Sequence, residues 1–126
     1  NAADVDAAYQ RAVAFRADAV LAFADGITIG LADRLAANSR RDRIPAASGW
    51  AVFAEKGNLM TYGPVLRESQ GRLAVFVDRI LKGAKAADLP VEQPTVHELV
   101  INRRVAKDLG IAVPPTLLAR ADRIID

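Results

Sequence analysis

Residues 17–25, "ADAVLAFAD", run apolar with no polar alternation, and Gly26 follows at once. A helix buries one stripe and a half-exposed strand alternates, so an unbroken run of this length suits a strand covered by helices on both faces. The rest of the chain repeats the theme. Upstream, Asp4 is placed to cap a helix whose apolar side carries Val5, Ala8, Tyr9, Ala12 and Val13. Downstream, Gly26 permits a tight turn into "ITIGLADRLAANS", with Ile27, Leu31 and Leu35 four apart. "RIPAASG" reads as a second strand, "WAVFAEKG" as one or two helical turns closed by Gly57, and Leu59 to Tyr62 as a third strand. From Ser69 onward, Leu73, Phe76, Val77, Ile80 and Leu81 trace one helical face, which ends at Gly83. The proline-punctuated "AKAADLPVEQPT" leads to "HELVIN", a fourth strand. Asn102 then caps a short helix, Arg103 to Leu109, that Gly110 terminates, and "VPPTLLARADRIID" reads as a last helix with Pro115 in its first turn.

This alternation predicts an α/β fold, three α/β/α layers around a mainly parallel sheet. A sheet of about four strands is small, and the chain opens on a helix rather than a strand. The loop from Ala84 to Thr95 is also long and stiff for a connection inside one layered domain. These features predict a partial sheet, or a chain that passes between two lobes.

Composition narrows the function classes. With 126 residues, 52% of them apolar and 25% charged, the chain is long enough for one domain with a real core and is not disordered. No apolar run approaches the roughly 18 residues needed to cross a bilayer. The opening "NAADVDAAYQ" is polar and helical in pattern rather than a secretory leader, and Asn1 leads to the expectation that the chain starts partway along a longer product. Cysteine is absent, so disulfides and cysteine–metal sites are excluded. The net charge is +2, and the one dense basic patch holds Arg40, Arg41 and Arg43 around Asp42. Nucleic-acid binding wants a sustained basic stripe; three arginines after a helix fit a solvated helix end, and no nucleic-acid partner is expected.

Reactive chemistry is scarce. His97 is the single histidine and has no Cys or Glu at ligand spacing, so no metal site is expected. Ser39, Ser48 and Ser69 lack a nucleophile-elbow context. "ADGITIG" has neither the dinucleotide pattern nor a Lys-Ser/Thr ending, so no cofactor is expected either. Without a base–nucleophile pair the chain reads as a binding protein, not an enzyme. Candidate binding groups cluster where three strands end: Asp25, Gly26 and Thr28; Gly49 and Trp50; Tyr62 and Gly63. In open α/β sheets such ends line the ligand crevice. Asp25 there suits either a bond to a ligand amine or a helix cap, the amides after Gly26 suit a carboxylate, and Trp50 suits either stacking on a flat ligand or plugging the domain.

"LMTYGP" and the stretch "RILKGAKAADLPVEQPT" continuing into "ELVIN" resemble bacterial ABC-transporter substrate-binding proteins of the tryptophan/tyrosine transport group. "AFRADAVLAFAD" and "RIPAASGWAVFAEKG" resemble the second lobe of that family more loosely. The resemblance implies the type 1 periplasmic-binding fold, here as a C-terminal fragment. Residues 1–58 would be part of the second lobe, 59–68 the hinge crossing, and 69–126 a segment packing largely on the first lobe. It further implies a solute-binding component of an ABC importer, for an aromatic amino acid or similar small solute. Implied partners are that solute, a membrane permease, and the missing N-terminal half of the same protein or another copy of the chain. The implied location is the periplasm, or the outer face of the cytoplasmic membrane as a lipoprotein. Relatives often carry Asp-Pro where this chain has Asp25–Gly26, an aromatic at the place of Trp50, and Tyr-Gly-Pro as at Tyr62 to Pro64. A ligand-sensing effector domain of a regulator and a receiver- or flavodoxin-like signalling domain are the alternative readings of the same alternation.

Overall fold

The computed structural model describes residues 2–126. A five-stranded sheet in the order β1-β2-β3-β4-β5 organises it: β1 (Val20–Ala22), β2 (Ala46–Ser48), β3 (Met60–Pro64), β4 (His97–Asn102) and β5 (Arg123–Ile125). Every neighbouring pair is parallel except β3–β4, which is antiparallel, with Tyr62 opposite Leu99 and Pro64 opposite His97. Parallel strands need crossovers, and α3 (Ala32–Asp42) and α4 (Ala51–Glu55) supply two of them. Right-handed connections put both on one face, where α1 (Ala2–Ala14) joins them against α3. The chain direction reverses at β4, so the same handedness sends α6 (Arg103–Leu109) to the other face, against β5. Helices thus lie on both sides of the sheet, the three-layer arrangement the sequence predicts.

The core forms beneath α1, α3 and α4. Tyr9, Ala32, Leu35, Ile44, Ala46 and Phe53 pack there, and Phe53 is fully buried. Burying a phenylalanine of this kind stabilises the fold by about 1.5–3 kcal/mol relative to leaving it exposed. Burial pushes the Tyr9 hydroxyl up to about 12. α4 ends because Gly57 turns left-handed at φ +96°, a conformation costly for any side chain. Asn102 caps α6 as expected, accepting from the Val105 N–H at 3.0 Å, and its amide also donates to the Ala54 carbonyl at 2.9 Å. One side chain therefore ties β4, α4 and α6 together.

The structure corrects four expectations. The run around Leu21 makes a strand of three residues covered on one side only: Leu21 and Phe23 are 67% and 82% exposed. The helix after Gly26 breaks into a single turn, α2 (Gly26–Ile29), and then α3, with Gly30 ending the first. The final segment is not one helix. α7 (Pro115–Leu118) is a single turn, and Asp122 then accepts the Leu99 N–H at 2.8 Å, which aligns residues 123–125 as β5 beside β4. Finally, residues 97–125 do not leave for another lobe, as the division 1–58, 59–68 and 69–126 has it. They complete the same sheet, because the β3–β4 ladder brings the chain straight back.

What does leave the sheet is 65–96. α5 (Leu66–Leu81) has the amphipathic face the spacing predicts, yet none of its residues is buried. Of its large apolar side chains only Leu66 and Phe76 are half-buried, and Phe76 lies in a groove of about 730 Å³ between α5 and residues 92–96. Arg72 of α5 pairs with Glu92 across that groove. No helix among the described residues is long and apolar enough to cross a membrane.

Candidate functional site

Parallel pairing brings the carboxyl ends of β1, β2 and β3 side by side, so the three candidate groups meet along one sheet edge. The contact is closest at two glycines. A Cβ on Gly63 would fall on the Gly49 carbonyl oxygen, and one on Gly49 would lie 3.4 Å from the Ala24 Cβ. The edge is therefore a tight backbone seam from which longer side chains project.

Each candidate has a definite place. Asp25 caps α2: its carboxylate accepts the Ile27 N–H at 2.8 Å and the Thr28 N–H at 2.7 Å. Those two bonds, Thr28's first, hold its carboxyl below the usual carboxylate range. Thr28 returns the bond, accepting the Asp25 N–H at 3.0 Å and donating to the Phe23 carbonyl at 2.7 Å. Both side chains are thus engaged in closing the turn, the second of the two roles open to Asp25. Gly26 is exposed and has open space where a side chain would stand. Trp50 is half-buried and packs against the core below α1, α3 and α4, which is nearer to a plug than to a free stacking platform. Tyr62 is different. Its ring is 65% exposed, and it stands at the point where the chain is about to leave the sheet.

His97 joins the site unannounced by the sequence. Its ring stacks on Tyr62, centroids 5.9 Å apart and planes 29° apart. The two lie 35 positions apart and meet only through the antiparallel register, which no local pattern signals. A second small concavity, with Glu55, Pro64, Arg67, Glu98 and Arg123 among its lining, flanks β3 beside α4, and Arg123 and Glu55 pair across it. The larger groove under α5 touches this edge only through Val65. Among the described residues no group of three or more acidic or histidine side chains is arranged to hold a metal ion. Asp25 in particular lacks the carboxylate neighbours that a receiver domain needs for magnesium.

A strand-end seam topped by an exposed aromatic thus lies in a sheet whose chain makes one long excursion and returns. The model of the ABC transporter substrate binding protein family matches residues 1–125, and the chain belongs to that family. Solved structures agree. A conserved domain protein from Vibrio cholerae superposes with a TM-score of 0.91 at 26% identity, over 98% of this chain and 42% of that one. The ABC domain in complex with L-Trp from Streptococcus pneumoniae does so with a TM-score of 0.90 at 22% identity, over 99% and 42%. A ligand-free, open substrate-binding protein with adhesive properties from Clostridium difficile gives 0.65 at 18%, over 99% and 41%. The latter two, below 25% identity, bear on the fold. No curated protein sequence matches at comparable stringency.

These matches correct part of the sequence reading. The expected match to the family's C-terminal portion alone is overturned, since the family model takes in residues 1–125 together. Neither the description as a C-terminal fragment nor a missing N-terminal half as partner stands. The chain spans about 42% of the length of the first solved structures it matches. The family consists of non-catalytic transport components with an extracytoplasmic location, which sets aside the regulator-effector and receiver readings.

Proposed function

We propose that this chain provides one wall of the solute cleft of an ABC importer's binding protein, and that the solute is an aromatic amino acid or a similarly flat, small molecule. One observation carries the reading: three parallel strand ends converge on a glycine seam, and the exposed ring of Tyr62 projects beside it. A phenol held at such an edge offers a flat apolar face and a hydroxyl to a ligand ring. Within this proposal the crossing expected over 59–68 is the cleft lip. Tyr62 and Gly63 are its direct ligand contacts, Gly26 and Gly49 allow close approach, and Asp25, Thr28 and Trp50 shape the wall. The Streptococcus pneumoniae structure holds L-Trp, which makes that compound the first probe.

The permease partner and lipid anchoring at the outer face of the cytoplasmic membrane belong to the same proposal; fatty-acid labelling of the native protein tests the anchor. Calorimetric titration with L-tryptophan and, in parallel, with L-leucine tests the solute class. The expected result is saturable binding of L-tryptophan, weak or no binding of L-leucine, and a loss of about tenfold in Tyr62→Ala, on the order of one stacked aromatic pair. Equal affinity for the two amino acids would overturn the aromatic assignment.

A further inference from the structure

We propose that His97 is a positioning residue for the cleft lip: stacked on Tyr62, it holds that ring beside the strand ends and fastens together the two roots of the 65–96 excursion. The inference deepens the cleft reading and rests on it for the solute effect; the structural effect stands without it.

Four observations lead here. Tyr62 is 65% exposed, so the core does not fix its rotamer, and among the described residues the ring packed on it is that of His97. His97 lies opposite Pro64, two positions along from Tyr62, so the rings are diagonal neighbours on one face of an antiparallel pair, a separation that aromatic side chains span. The Leu59 carbonyl accepts the Asn102 N–H and Val65 donates to the Val96 carbonyl, so the odd-numbered residues of β3 carry its bonds to β4. Tyr62–Leu99 and Pro64–His97 are therefore non-hydrogen-bonded pairs, where side chains stand closest. The pairing runs on past Pro64, where the Val65 N–H donates to the Val96 carbonyl at 3.1 Å. The stack thus bridges the outgoing and the returning strand just inside the Val65–Val96 bond. Nothing else in the mechanism uses His97, and no metal-holding group surrounds it among the described residues.

The test compares wild type, His97→Ala and His97→Phe in the whole chain. With only two tyrosines, one of them the buried Tyr9, the ring protons of Tyr62 are assignable by NMR. The expected result is threefold. In His97→Ala the Tyr62 ring signals lose their ring-current shift, the Val65 amide exchanges several-fold faster, and L-tryptophan dissociates roughly three- to tenfold more readily, the range of one cross-strand aromatic pair. His97→Phe, which keeps a flat ring but no imidazole, restores all three. Unchanged Tyr62 signals and Val65 exchange in His97→Ala would overturn the stack. Lost stacking with unchanged affinity would overturn the positioning role, and so would a failure of His97→Phe to rescue. Should wild type bind no L-tryptophan, the solute reading falls, while the NMR shift and the amide exchange still decide whether His97 fastens the lip.

Discussion

Residues 20–64 with 97–125 and residues 65–96 obey the same sequence rules and end in opposite states. In the first region apolar periodicity becomes burial: Phe53, Val100 and Ile101 are at most 1% exposed, and polar Asn58 and Thr61 are buried with them. In the second, α5 has an equally regular apolar face, yet Leu73 and Leu81 are 61% and 82% exposed. Amphipathicity shows that a face is made to be covered; only packing shows that it is. The stability of the chain should accordingly reside almost entirely in the sheet region, and the two regions should respond to substitution very differently.

The sharpest break in that contrast would come from Phe53. Phe53→Ala empties the middle of the core and should cost about 3–5 kcal/mol in chemical denaturation. A cost below about 1 kcal/mol would mean that the core under α4 does not organise the fold. Gly63→Ala tests the seam: its new methyl has only the Gly49 carbonyl to displace, and overpacking of this kind should cost about 1–3 kcal/mol. Gly26→Ala, where nothing stands within 4 Å, is its control and should be near neutral by the same measurement. Asn102→Ala removes a cap and orphans the Ala54 carbonyl, an expected loss of about 1–2 kcal/mol.

Smaller, and lost in acid, is the effect of Asp6. Hydrogen bonds from Arg34 and Asn38 hold its carboxyl well below the usual carboxylate range. A depressed native value means that this contribution is present above the ordinary carboxylate pKa and lost as pH falls toward the native one. Asp6→Asn should therefore lower the neutral plateau and leave the acid end close to wild type, flattening the limb between them, as followed by circular dichroism. Smallest of all, Leu81→Ala should change stability by less than about 0.5 kcal/mol, the usual range for an exposed position. A loss of 2 kcal/mol there would show that α5 is covered in solution and would erase the contrast between the regions.

Much of the fold was legible because its signals are local. Gly57 ends α4, Asn102 caps α6, and the strands at 46–48, 60–64 and 97–102 stand between turn-formers as read. The failures share a cause. Leu117, Leu118, Ala121, Ile124 and Ile125 fit a helical stripe, but Asp122 is captured by the Leu99 N–H 23 positions away, and tertiary pairing overrides the local period. The one-sided exposure of β1 was likewise invisible, because an apolar run says that cover is needed and not whether these residues supply it. At the candidate site the strand ends were readable from the spacing of Gly26, Gly49 and Gly63. The fates of their side chains were not. Asp25 had two chemically sound roles, and only the N–H groups of Ile27 and Thr28 show that the cap takes the carboxylate. His97 gave no sign of its neighbour, since the antiparallel register that unites it with Tyr62 is a property of the sheet.

That single antiparallel junction has a mechanical corollary. Because Val65 is bonded to Val96, both ends of a thirty-odd-residue arm emerge from one narrow two-stranded ribbon. Twisting the ribbon swings α5 like the blade on a hinge pin, with little bending needed anywhere else along the arm. Leverage is then set by a few residues at the root, and the length and composition of the blade are free to vary without retuning how it turns.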